Sequence, residues 1–149
     1  MKKKIQKRFI DRSLGFPVRL LNAPLINVRG QWALDLNLND YQKAVLQLLA
    51  YKPNRLTGSE IRFIRTHFSL TVRQFAERFS IKHPAVIKWE SKYDKPTKMI
   101  WSTEKDIRLY IQDELNRRAT EFHELYQKLQ SELGETQTPI RLDATKLAA

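Results

Sequence analysis

Covalent and acid–base chemistry has little to work with in this chain. Its three histidines, His67, His83 and His123, are scattered, and none has partners at the spacing of a metal site or a catalytic triad. There is no cysteine, which excludes disulfides and thiolate metal sites. Only four glycines are present, and they form no phosphate-cradling loop. Acidic neighbours such as Asp113 and Glu114 point apart on a helix, so they read as solvated surface. Neither an enzyme nor a cofactor is expected. What the sequence does concentrate is polar and cationic side chains between positions 71 and 95. They are Thr71, Arg73, Gln74, Lys82, His83, Lys88, Lys92 and Lys95, with Ala85 among them. Residues of these types hold phosphate oxygens and read base edges, and an alanine methyl can meet the methyl of thymine. The chemistry they suit is reversible recognition of double-stranded DNA.

Such side chains discriminate between bases only when a rigid frame holds them. Residues 69–98, SLTVRQFAERFSIKHPAVIKWESKYDKPTK, read as a helix, a tight turn and a second helix. Thr71 is placed to cap the first helix, since its hydroxyl can accept from the unpaired backbone N–H groups there. Phe75, Ala76 and Phe79 repeat at helical spacing, with Arg73, Gln74, Glu77 and Arg78 on the other face. Ala76 is small where two steeply crossing helices come closest. Ser80-Ile81-Lys82 makes the turn, with Ile81 as the apolar plug beneath it. Pro84 suits the first turn of a helix, where a missing N–H is no loss. Val86, Ile87 and Trp89 are expected on the buried side of that helix, followed by Glu90.

Thr71, Phe75-Ala76, Ile81, Val86, Lys88-Trp89-Glu90 and Pro96 together resemble the helix-turn-helix of the Cro-like (xenobiotic-response-element) regulators. The lead-in Leu56-Thr57-Gly58-Ser59-Glu60-Ile61-Arg62-Phe63-Ile64-Arg65 is similar to something narrower, the C-terminal half of MqsA-type antitoxins. The likeness covers residues 50–98 well and residues 14–49 weakly. It implies a dimeric DNA-binding repressor that also neutralises a toxin encoded nearby. The MqsA-type relatives carry zinc-binding cysteines in their N-terminal half, and this chain has none, so a zinc function is not carried over. Family members place polar side chains where this chain has Pro84, Ala85 and Ile87. That leaves Lys82, His83 and Lys88 as polar candidates, and puts weight on few base contacts, DNA shape or an N-terminal arm.

Charge follows the same division. The chain carries a formal net charge of +11, which invites a polyanionic partner. Residues 1–19 hold a net +6, residues 52–98 a net +7, and residues 103–133 a net −2. Basicity is thus gathered where phosphate contact would need it. At 149 residues and 42% hydrophobic, the chain is long and apolar enough for one folded domain with an appendage. No apolar run approaches the ~18 residues that span a bilayer, and no secretory signal follows the basic start. No membrane partner and a cytoplasmic location are expected.

Five segments are expected. Residues 1–13 form a basic arm, MKKKIQKRFIDRS, with Ile5, Phe9 and Ile10 interleaved. It could track DNA phosphates, dock as a short helix, or be a solvated tail. Residues 14–51 hold a small β-ribbon plus a helix. Val18, Leu20, Leu25, Ile26 and Val28 are strand formers, Pro24 interrupts them, and Gly30-Gln31 turns into Trp32-Ala33-Leu34. A cluster of Trp32 and Leu34 is expected to stand in for the relatives' metal. Asn39 or Asp40 should cap the helix that ends near Ala50. Residues 52–101 make the helix-turn-helix domain, starting at Thr57 or Ser59.

Residues 102–134 read as one long helix of roughly thirty residues and ~45 Å. Ile107, Ile111, Leu115, Ala119, Phe122, Tyr126, Leu129 and Leu133 recur along it every three or four positions. Its free length asks for a second subunit, which nominates Ile111, Leu115, Phe122, Tyr126 and Leu129 for dimerisation. A kink near Asn116-Arg117, folding it back on its own domain, is the other option. Residues 135–149 form a tail, and Lys146-Leu147-Ala148-Ala149 resembles the start of an expression-vector scar. The expected fold class is mainly α: a Cro-like helix-turn-helix domain with a small N-terminal β-ribbon and a long C-terminal helix. The expected function is that of a dimeric, sequence-specific regulator and antitoxin that binds its own operator. The alternative is a helix-turn-helix-derived module that binds a toxin or other protein and reads little DNA.

Overall fold

The computed structural model describes residues 2–116, 120–137, 139, 141 and 143–147. Strands come first: β1 (Lys3–Asp11), β2 (Val18–Val28) and β3 (Gln31–Leu34) form an antiparallel sheet in the order β1-β2-β3. Six α-helices follow among the described residues: α1 (Leu38–Tyr51), α2 (Gly58–His67), α3 (Val72–Arg78), α4 (His83–Glu90), α5 (Trp101–Leu115) and α6 (Thr120–Lys128). The arrangement is α/β, with a substantial sheet and short helices, and it replaces the expected mainly α fold with a small ribbon and one long terminal helix.

The basic arm is strand β1, and neither a loose tail nor a helix. It pairs with β2 from Lys3 opposite Ile26 to Asp11 opposite Val18. Its own side chains hide little, so the pairing partner, rather than apolar periodicity, decides its conformation. Pro24 does not interrupt β2. Its carbonyl accepts from Asp35 N–H at 2.9 Å, which means its missing N–H also points towards β3, just past that strand's last paired residue, Leu34. Arg29 and Gly30 join β2 to β3 with φ of 52° and 83°, the two positive values of a type I′ hairpin turn. Trp32 is exposed on the sheet with Lys4 Nζ 4.3 Å above its ring, so it forms no substitute core for a metal site.

The hydrophobic core lies among α1 to α5, around Leu46, Leu56, Ile61, Ile64, Phe75, Val86, Ile107 and Ile111, all fully buried. The loop after β1 ties the sheet to it. Phe16 packs edge-on against Phe63 at 5.4 Å, and Tyr41 Oη donates to Asp11 Oδ2 at 2.7 Å. Helix α1 is capped by Asn37, whose side chain accepts from Asp40 N–H at 3.0 Å, two residues earlier than expected from Asn39. Fully buried Glu104 on α5 accepts from Arg55, Arg108 and the Leu56 N–H, which fixes α5 against the entry to α2.

The long helix ends at Leu115, with Asn116 as its C-cap, and the chain folds back as α6. Arg117 and Ala119 lie outside the described residues, as do Leu142, Ala148 and Ala149. The return is held by polar contacts that a straight helix would lack. His123 Nδ1 and Gln127 Nε2 donate to buried Asp113 at 2.9 and 3.1 Å. Tyr126 Oη donates to Asp106, and Arg78 of α3 donates to Gln130. The Arg78 guanidinium also lies over the rings of Phe79, Tyr110 and Tyr126. No helix among the described residues is long and apolar enough to cross a membrane.

Candidate nucleic-acid interface

Helices α2 and α3 are built by the same local rules. Each opens on a capping box: Thr57 with Glu60, and Thr71 with Gln74, exchange side-chain and backbone hydrogen bonds of 2.9–3.3 Å. Each closes on a serine at positive φ, Ser69 and Ser80, both at 56°. After α3, Ile81 N–H donates to Ala76 at 2.9 Å and Ser80 N–H to Glu77 at 3.2 Å, the two bonds of a Schellman motif. Ile81 tucks in beneath, half-buried against the core. This is the tight turn that aims α4 across α3.

Three contacts lock α4 to α2. Gly58 leaves room for the α4 backbone, since a Cβ there would sit 2.3 Å from the Trp89 carbonyl oxygen and 2.8 Å from Tyr93 N. Trp89 is buried in the same core as Ile61, Phe63 and Ile64 of α2. Arg65 grips Glu90 with two hydrogen bonds of 2.7 and 2.9 Å and donates a third to the Leu70 carbonyl at 3.0 Å. The hydrogen bonds it donates to Glu90 hold the Arg65 guanidinium above its ordinary pKa, against the opposing effect of burial. Sequence spacing offers no signal for this pair, which is separated by 25 positions.

Three glutamates of this half are drawn inward onto cations, while Glu77 and Asp94 stay exposed. Glu60 accepts from Lys52 at 2.8 Å, Glu90 from Arg65, and Glu104 from Arg55 and Arg108. Among the described residues, none of Arg73, Lys82, Lys88, Lys92, Lys95 and Lys98 has a carboxylate within ion-pair distance. Arg73, Glu77, Lys82 and His83 share the rim of a hollow of about 360 Å³ floored by Ala76, Ile81 and Pro84. Lys88 is exposed on the outer side of α4, beyond His83. Lys82 is the N-cap of α4 but makes no side-chain cap bond, so the first N–H groups of α4 are not taken up by that side chain.

Not every nominated residue is free to meet a ligand. The side chains of Thr71 and Gln74 are spent on each other's backbone in the capping box. Ala85 is half-buried against the core rather than presented outward, and Lys92 is half-buried. Lys95 is exposed, and its carbonyl accepts from Gly58 N–H at 3.2 Å. Ile87, expected on the inner side, is 55% exposed. The periodicity contained the answer, because Val86 and Trp89 are three apart and fix the inward face, which leaves Ile87 a hundred degrees away from Val86.

The dimerisation set also divides. Ile111 is fully buried in this chain's own core, and Leu115 and Tyr126 pack against it. Only Phe122 and Leu129 of that set are exposed, joined by Leu125, which the sequence reading passed over. His67 is not among the residues of this surface, and its Nδ1–H donates to Gln42 Oε1 at 3.1 Å. Burial, with Lys43 nearby, lowers its pKa below the ordinary histidine value.

Comparison with family models, with curated proteins and with solved structures finds no match to this chain.

Proposed function

We propose that this chain is a sequence-specific double-stranded-DNA-binding regulator that lays α4 in the major groove. The observation that carries the reading is the sorting of charge. Every glutamate that locks α2, α4 and α5 together faces inward onto a cation. Arg73, Lys82 and Lys88 are exposed with no carboxylate at ion-pair distance among the described residues, Glu77 being the one acid that shares the hollow with Arg73 and Lys82. A surface of that kind attracts phosphate, and an α-helix is the element a major groove admits. Lys82 and His83, at the start of α4, and Lys88, about one and a half turns on, are the side chains placed to reach base edges. Arg73, Lys92 and Lys95 suit the flanking phosphates.

The resemblance of residues 50–98 adds the biological form: a cytoplasmic homodimeric repressor that binds its own operator and neutralises a toxin encoded beside it. Exposed Ile87 and Pro84 on the outer side of α4 favour a second reading, in which the same surface docks a protein and reads little sequence. A fluorescence-anisotropy titration at moderate salt separates the two. The regulator reading predicts that DNA from immediately upstream of the gene binds at least about a hundredfold more tightly than random DNA. Equal affinity for both would favour the protein-docking reading.

A further inference from the structure

Two unpartnered surfaces of opposite character stand at opposite ends of the chain. On one face of the β1–β2 ribbon, cross-strand pairing sets Arg8 opposite Leu21 and Ile10 opposite Arg19. These four side chains line an open hollow of about 660 Å³. Ile10 is 61% exposed and Leu21 69%, so two large apolar side chains sit in water between two guanidinium groups. Neither Arg8 nor Arg19 has a carboxylate partner among the described residues. The whole sheet is of one sign: residues 2–34 carry eight Lys or Arg and one acid, Asp11, which is buried.

The second surface is the outer side of α6. His123, Tyr126, Gln127 and Gln130 turn inward and are hydrogen-bonded to the body of the domain. Phe122, Leu125 and Leu129, spaced by three and four, form an apolar stripe on the side that is left, and all three are about half-exposed. Glu124 and Lys128 are exposed on one flank of the stripe, and Glu132 lies exposed just beyond the helix end. Residues 120–137 carry four Glu and one Lys, a net −3. An acidic helix with an apolar stripe is the complement of a basic ribbon with an apolar hollow.

We propose that these two surfaces meet across subunits, the α6 stripe of one copy seating on the β1–β2 ribbon of a second. A reciprocal exchange uses each surface twice and closes a two-fold dimer with no surface left over. Leu125 and Phe122 would fill the hollow between Ile10 and Leu21, with Glu124 and Glu132 towards Arg8 and Arg19. The inference rests on the homodimeric part of the proposed function and gives that dimer an interface different from a paired long helix.

Charge reversal in both partners tests it, by sedimentation velocity of the full chain at tens of micromolar and moderate salt. The wild type should run as a dimer. Arg8→Glu with Arg19→Glu, and separately Glu124→Lys with Glu132→Lys, should each associate at least about tenfold more weakly, since like charges then face each other. Mixing the two variants should restore the dimer. One of its contacts is then wild type and the other is attractive with its charges exchanged. All four substituted positions are exposed, so unchanged circular dichroism and melting temperature would certify the fold. Variants that still dimerise as tightly as the wild type place the interface elsewhere and overturn the proposal while leaving a dimer. A monomeric wild type overturns both. Folded monomeric variants that do not recover on mixing show that the two surfaces are not each other's partners. A ribbon variant that keeps its dimer but loses salt-sensitive DNA affinity makes the ribbon a nucleic-acid surface instead.

Discussion

The helical half and the sheet of this protein solve the same problem, a large excess of positive charge, in opposite ways. In the helical half, buried carboxylates gather cations around them and the fold is cross-linked by the result: Lys52 to Glu60, Arg65 to Glu90, Arg55 and Arg108 to Glu104. In the sheet, the buried acid Asp11 is held by Tyr41 and Ser13, and among the described residues no cation pairs with it. The sheet's lysines and arginines are left in water, apart from exposed pairs of Lys3 with Asp35 and Arg12 with Asp94 at 3.6 Å. Exposed pairs of that kind contribute little to stability. The difference teaches that charge here is structural where it is buried and, on the proposed function, recognitional where it is not.

Two tryptophans give the sharpest way to break that contrast. Trp89 is 9% exposed in the helical core, whereas Trp32 is 39% exposed on the sheet. Trp89→Ala should cost ~3–5 kcal/mol and unfold the domain near room temperature. Trp32→Ala removes partial packing and the Lys4 contact and should cost only ~1 kcal/mol. Equal losses in chemical denaturation would mean the sheet shares the helical core after all.

Next in size is the Arg65–Glu90 clamp. Glu90→Gln leaves a buried guanidinium without its counter-charge and should cost ~3 kcal/mol. Replacing both residues, Arg65→Met with Glu90→Leu, should recover much of that loss. If the single and double variants melt together, the pair contributes its geometry and not its charge.

Asp11 gives the sheet's smaller effect and a pH signature. Burial opposes its charged form, but the hydrogen bonds from Tyr41 and from the Ser13 hydroxyl and N–H together outweigh it and hold its carboxyl below the ordinary 3.8. A carboxyl whose folded pKa lies below its unfolded one stabilises the fold above the unfolded value, and that contribution is lost as pH falls through the folded one. Asp11→Asn should therefore cost ~1.5–3 kcal/mol at pH 7. The gap between wild type and variant should narrow below about pH 4. A gap independent of pH would show that Asp11 acts by shape alone.

What the sequence made legible follows the same boundary. In α2 to α4, local chemistry and tertiary packing agree: Thr57 and Thr71 cap, Phe75 and Ala76 point inward, and Trp89 is core. Where they disagree, tertiary structure decides. The residues of β1 have no buried periodicity of their own and become a strand because β2 offers backbone partners. A continuous apolar repeat from Ile107 to Leu133 suggests one helix, yet the chain folds back after Asn116. The buried Asp113 receives His123 and Gln127 from the returning segment, a pairing that no spacing rule announces. Pro24 is tolerated because β3 stops beside it, and that is a property of the partner strand.

For the candidate interface, the cations of α3 and α4 were legible as types and only partly as positions. Arg73, Lys82, His83 and Lys88 emerge on the outside, but Thr71 and Gln74 are consumed as caps and Ala85 turns inward. On the proposed function, base reading therefore falls on fewer side chains than the spacing alone suggests.

The most direct measurement is the affinity of wild type and Lys88→Ala for a panel of single-base variants of the upstream site, at one fixed salt concentration. Lys88 is exposed on α4 and takes part in no core contact or ion pair among the described residues, so its loss should leave the melting temperature in place. The account predicts ~1–3 kcal/mol weaker binding to the preferred site and a relaxed preference at a single base pair, with the others unchanged. A folded Lys88→Ala variant that binds every site in the panel as the wild type does would contradict the placement of α4 in the major groove.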